Sequence, residues 1–197
     1  MAETIETRPF PPFLPKKATV MMMGTFPPEQ SKRAMEFHYP NFQNDMWRVF
    51  GLVFFDEKDH FRNGEEKAMD PEKIKAFLSE AGIASCPTVL KAIREKENAS
   101  DAFLKVVEPV PLADVLEQIP DCKHIGTTGG KATEILLSLL PEKVKLPKTG
   151  ETIPFVFNGR ELTLTRLPST SRAYPLSLAK KAEAYKNFFK ACGLKTK

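Results

Sequence analysis

The chain has 197 residues, of which 42% are hydrophobic and 27% charged, with a formal charge of +4. These values exclude a globally disordered chain and predict one well-cored domain over 17–197 behind an extended, Pro-rich lead-in over 1–16. The charge is uneven: from Arg160 to Lys197 nine basic residues face two acidic ones, a net of +7, so the preceding residues carry −3. Such a basic end suits a polyanion such as nucleic acid, and equally a solvated helix face.

Cys86, Cys122 and Cys192 are odd in number and scattered, and His38, His60 and His124 lie far apart. The pattern therefore predicts no disulfide framework, no zinc site, no metal cluster and no cofactor. The N-terminal stretch lacks the apolar centre of a signal peptide, and no apolar run reaches membrane-spanning length. A cytoplasmic, monomeric protein is the expectation.

In chain order, Ala18–Met23 is apolar without alternation, the signature of a strand covered on both faces. It ends in Gly24-Thr25-Phe26-Pro27-Pro28. A short helical turn is expected over Ser31–Phe37, then a helix from about Asp45 to Phe54, with Asn44 or Asp45 as its cap. Asp70-Pro71 opens a helix that Gly82 closes. The spacing predicts a further helix over Val89–Lys96, turn chemistry at Asn98–Asp101, and helical segments near Asp101–Val107 and Leu112–Gln118. Lys123–Thr128 reads as a second central strand, with Gly129-Gly130 opening a helix over Lys131–Leu140. Gly126 to Lys131 is too short for a phosphate loop, and Ala132 stands where Ser or Thr would bind magnesium. Asn158-Gly159 between two strand-like runs predicts a two-residue hairpin. The second run empties into Pro168–Pro175, and a last helix spans about Leu176–Cys192. The pattern gives an α/β fold, a three-layer sandwich with a small, mostly parallel central sheet. The loops 24–28 and 168–174 would then leave the carboxyl ends of strands and face one crevice.

Two motifs carry a family resemblance. The first is Gly24-Thr25-Phe26-Pro27-Pro28, Ser31, Phe37-His38-Tyr39-Pro40, Asn44 and Met46-Trp47. The second is Leu167-Pro168-Ser169-Thr170-Ser171-Arg172-Ala173-Tyr174. In order and separation they resemble those of the uracil-DNA glycosylase superfamily, closest to its mismatch-specific and hypoxanthine branches. Phe26 stands where the mismatch-specific branch has its catalytic Asn, whereas Asn44 matches the candidate Asn of the hypoxanthine branch. Met46 replaces an aromatic residue, Arg172 and Tyr174 depart from Pro and Asn, and Ser85-Cys86-Pro87 lies where relatives often carry an aromatic-Asp pair.

The resemblance implies a metal-independent DNA glycosylase acting on a flipped deaminated base, uracil or hypoxanthine, with damaged DNA as its partner. Asn44 would position water or steady the base through its amide, with Asp45 beside it as a water activator. Gly24, Thr25, Phe26, Pro27, His38, Tyr39 and Trp47 would form the base pocket. Ser169, Thr170, Ser171 and Arg172 would hold DNA, with Lys180 and Lys181 adding charge. Read by residue type alone, Asn44 and Asp45 are also helix-start residues, Phe26 and Trp47 core residues, and 169–171 a helix-entry loop. A non-enzymatic nucleic-acid binder of this fold and a hydrolase of nucleosides or another small ligand stand as alternatives.

Overall fold

A computed structural model describes residues 2–95 and 101–197. Its central sheet runs in the spatial order β3 (Ile83–Ser85), β2 (Val20–Met23), β6 (His124–Thr128), β8 (Arg160–Leu167) and β7 (Thr152–Phe157). The first four strands are parallel, and β7 pairs antiparallel with β8 at the edge. The fully apolar β2 is explained by its two covered faces. Val20 and Met22 pack against α1 (Met46–Phe55), α2 (Pro71–Ala81) and α5 (Leu178–Ala191). Met21 and Met23 pack the other way, towards α3 (Leu112–Gln118) and α4 (Gly130–Ser138). Side chains alternate across a strand, so one short run feeds both cores, each fully buried side chain contributing about 1.5–3 kcal/mol. This is the three-layer α/β sandwich expected from the sequence.

Local signals act as their chemistry requires. The Asp70 carboxylate accepts from the N–H groups of Glu72 and Lys73 ahead of α2, and Gly82 closes that helix at φ 74°. Asn158 and Gly159, at φ 47° and 77°, join β7 to β8 with Phe157 opposite Arg160. In α1, Phe50 and Phe54 meet Phe189 of α5 at ring-centroid distances of 5.4 and 5.0 Å. Gly126 leaves room for that contact layer: a Cβ there would lie 2.9 Å from the Phe188 ring.

Two expected helices are strands. Val89–Arg94 forms β4 and Leu104–Pro109 forms β5, an antiparallel pair joined on its other side by β1 (Ile5–Thr7). Val89, Ala92 and Ile93 fit an i, i+3, i+4 stripe, which is why their spacing points to a helix. The register between β4 and β5 shifts around Lys91, and that irregularity removes the strict alternation a strand would advertise. Only a single turn of 3₁₀ helix, Asp101–Phe103, precedes β5. The expected turn residues Asn98–Ser100, and the end of the helix expected to reach Lys96, lie outside the described residues. The lead-in is also engaged: besides β1, Phe13 pairs with Ser85 through two 2.9 Å backbone hydrogen bonds. The small sheet packs through Val89, Ala92 and Leu104 on Ile135 of α4, with Phe26 at the seam.

Candidate active site

The carboxyl ends of β2, β3, β6 and β8 open into one cavity of about 660 Å³. This lies within the range of small-molecule sites and at the end of the sheet where such folds bind ligands. Its walls come from four segments: Gly24–Pro28 after β2, His38–Asn41 with Gln43 and Asn44 ahead of α1, Ser85 and Pro87 at the end of β3, and Ser169–Pro175 after β8. Thr128 closes the floor, and Asp101 and Ala102 enter from the β4–β5 connection.

Most of the expected pocket residues are brought together. Gly24 is required by Tyr39, whose hydroxyl would lie 2.6 Å from a Cβ at position 24. Tyr39 itself has φ 54°, a left-handed conformation uncommon for a side-chain-bearing residue. Its hydroxyl meets Thr128 Oγ1 at 3.0 Å, and burial keeps its proton on, well above the ordinary tyrosine range. Phe26 lines the cavity while packing in the small-sheet core, with the Arg94 guanidinium 5.4 Å from its ring centre. Pro27 is buried beside it and holds Arg94 through its carbonyl.

His38 forms part of the wall as a neutral ring. The Pro11 carbonyl, 2.9 Å from Nε2, can only accept, so Nε2 carries the proton and Nδ1 accepts from the Ser85 hydroxyl at 2.7 Å. The ring stacks on Phe37 at 4.6 Å and 7°. Burial is the main reason its pKa falls to about 4, against an opposing pull from the Pro11 carbonyl. Trp47, by contrast, is not in the cavity wall. It is core, its indole N–H donating to the His38 carbonyl at 3.0 Å and its ring meeting Tyr39 edge-on.

Asn44 lines the cavity, its Oδ1 accepting from the Met46 N–H at 2.9 Å. Among the described residues its NH₂ group has no protein partner, which leaves it to the cavity. The side chain thus serves as helix-entry acceptor and cavity donor together. Asp45 points elsewhere. Its buried carboxylate meets Lys181 Nζ at 3.2 Å, Arg172 Nε at 3.4 Å and Arg48 Nη1 at 3.8 Å, and it does not line the cavity. Its own N–H donates to the Thr170 carbonyl at 2.9 Å. Asp45 is therefore a hub tying α1 to the loop after β8 and to α5.

In that loop Ser169, Thr170, Ser171 and Arg172 all reach the cavity. Ser169 and Ser171 each accept from the N–H two residues on, at 3.2 Å, the local pattern that shapes such loops. Lys180 is exposed on α5, but Lys181 is 1% exposed and donates to the Ser171 carbonyl at 2.9 Å. Lys181 thus holds the loop from beneath instead of presenting charge to solvent.

Asp101 is a cavity residue that its sequence context does not mark. It is the one carboxylate among the cavity-lining residues described, and Oδ2 accepts from the Thr25 hydroxyl at 2.5 Å. Burial raises its pKa, with the Thr25 hydrogen bond, Lys131 and Arg94 pulling the other way. A solitary Asp in a segment spaced like a helix gives no signal that the chain delivers it to a cavity. Among the described residues no group of three His, Cys, Asp or Glu side chains is placed to hold a metal.

No protein-family model matches this chain, and no curated protein matches it. Thirteen chains of known structure resemble it. One is the solution NMR structure of a candidate uracil DNA glycosylase from Methanosarcina acetivorans, 21% identical, with a TM-score of 0.64 over 96% of this chain and 99% of that one. The likeness establishes the fold: an α/β sandwich of the uracil-DNA glycosylase type, as the two motifs lead one to expect.

Proposed function

We propose that the protein is a DNA glycosylase that acts as a monomer on a flipped deaminated base, uracil or hypoxanthine, in the manner of the hypoxanthine branch. The observation that carries this reading is the cavity: at the strand ends of this fold, it combines an aromatic wall with Asn44, one carboxylate and one cation. A flipped base needs a stacking surface and edge-reading polar groups, which Phe26, Tyr39 and Asn44 supply. Hydrolysis forms a bond from a water oxygen to sugar C1′ and breaks the C1′–N bond, whose electron pair leaves on the base. In this reading the Asn44 amide and the backbone N–H groups of the Gly24–Phe26 turn steady the departing base. Asp101 takes the water proton, a role its raised pKa favours because a weaker acid is a stronger base. The negative charge of Asp101 also suits the positive charge growing on the sugar. Ser169–Arg172 flank the opening and contact the strand.

The test uses oligonucleotides carrying one uracil, hypoxanthine or xanthine, single-stranded and mismatched, with abasic sites read by alkaline cleavage. Base release from at least one of them is expected, reduced about 10²-fold or more in Asn44→Ala. Release that survives Asn44→Ala removes that residue from the mechanism. Release from free nucleosides but not from DNA overturns the DNA reading, and no release at all overturns the enzymatic one.

A further inference from the structure

The charged groups that the cavity does not use lie behind Arg172. There a second cleft, of about 330 Å³, is lined by Arg48, Lys58, Arg172, Lys181 and Asp45. Four cations face one carboxylate. Two of the cations are deeply buried, Lys181 at 1% and Arg48 at 5% exposure. Removing a charge from water costs several kcal/mol unless a partner compensates it, and three of these cations share the single Asp45 carboxylate. The crowding is visible at Arg48, whose pKa is lowered first by burial and next by the charge of Arg172, with Asp45 and Asp59 opposing. Asp56, Glu57 and Asp59 flank Lys58 in sequence, yet none of the three lines the cleft.

Donors also remain. Lys181 uses two of its three N–H groups, on Asp45 and the Ser171 carbonyl. Arg48 spends Nη1 on the Phe42 and Asn44 carbonyls, and among the described residues its Nη2 has no partner. Surplus buried positive charge with unspent donors is the setting for an oxyanion. Arg172 lines both the cleft and the cavity, so an anion in one abuts a ligand in the other.

We propose that this cleft binds a phosphate of the nucleic-acid backbone, adjacent to the nucleotide whose base enters the cavity. This rests on the DNA reading above and adds a second contact point to it. The excess of donors and charge is completed by the phosphodiester, and Lys58 closes over it from the rim.

The test measures binding of a short undamaged single-stranded oligonucleotide to the full chain by fluorescence anisotropy across a salt series. Lys58→Gln, at an exposed side chain, leaves the fold intact and is expected to weaken binding several-fold and to lower the log–log salt slope by about 0.7. Lys58→Arg is expected to restore both, and Arg172→Gln to cause a larger loss. In parallel, inorganic phosphate is titrated against the side-chain N–H signals of Arg48 and Lys181, which are expected to shift, with the oligonucleotide competing. Unchanged affinity and slope in Lys58→Gln and Arg172→Gln overturn the proposal. So does a wild-type chain that does not bind the oligonucleotide at low salt, or phosphate that moves signals only in Ser169–Ser171. The probe holds no deaminated base, so failure of base release and failure of the cleft are read separately.

Discussion

The cavity and the cleft meet at Arg172 and treat charge in opposite ways. Within the cavity burial works against charge: His38 is deprotonated, Tyr39 keeps its proton, and the Asp101 pKa is raised, while Arg172 stands at the border with the cleft. In the cleft, positive charges are crowded round Asp45 and held there by ion pairing. The first environment suits a planar, uncharged base and the second an anion. One side of α1 thus begins with an uncharged amide, Asn44, and the adjacent residue is the hub of a charged network. Adjacency in sequence does not give adjacency in role: Asn44 faces the cavity and Asp45 the cleft.

The largest effect should follow from removing the hub. Asp45→Ala leaves Lys181 and Arg48 buried without their shared counter-charge and is expected to cost about 3–5 kcal/mol, read as a lower denaturant midpoint at unchanged slope. Asp45→Asn, which keeps an acceptor, should cost less. A loss below about 1 kcal/mol for Asp45→Ala would mean that water already screens these cations, and the contrast between cleft and cavity would collapse.

Next comes the carboxylate of the cavity. Asp101→Asn keeps an oxygen for the Thr25 hydroxyl, so folding should be preserved while base release falls about 10²- to 10⁴-fold. Release by the native chain should rise with pH as Asp101 ionises, with that limb lying above the usual carboxylate range because burial raises its pKa. The variant should lose the limb. An identical pH profile in both would assign the proton transfer to another group.

A smaller effect tests the neutrality of the cavity wall. The His38 pKa is about 4 in the folded chain against an ordinary 6.5, so between those values the unfolded chain takes up a proton that the folded one refuses. Stability should therefore fall as pH drops from about 6.5 towards 4 and be regained on returning to neutrality, by about 3 kcal/mol in all from this residue. Denaturant unfolding across that window should show the slope, and His38→Gln should flatten it. An unchanged slope would place the acid sensitivity elsewhere.

Much of this fold was legible because its signals are local. An apolar run at β2, an Asp-Pro start and Gly stop at α2, and Asn-Gly at the hairpin each dictate backbone geometry without help from distant residues. β4 and β5 were not legible, because the register shift near Lys91 replaces strand alternation with a helical stripe. The site divides in the same way. Gly24, Phe26, Tyr39, Asn44 and Ser169–Arg172 sit on loops that follow recognisable strands, so their convergence could be anticipated. Asp101 reaches the cavity only through the small sheet, a long-range pairing with no local mark. Asp45 and Lys181 carry residue types suited to catalysis and to DNA, but their burial is settled by packing between α1 and α5, 136 positions apart.

The smallest effect should come from Lys180, in contrast to its neighbour Lys181. The two lysines are consecutive on α5, yet one is exposed and the other is 1% exposed beneath Asp45 and Ser171. Among the described residues the Lys180 ammonium has no ion-pair partner, so Lys180→Ala should change stability by no more than about 0.5 kcal/mol. In oligonucleotide binding it should lower the salt slope by less than the roughly 0.7 expected for one full phosphate contact. Lys181→Met, which removes the charge but keeps the aliphatic volume, should instead loosen the Ser169–Arg172 loop and cost several times more. Equal responses from the two variants would show that Lys181 is solvated like its neighbour, and the cleft would lose the buried charge on which its claim to a phosphate depends.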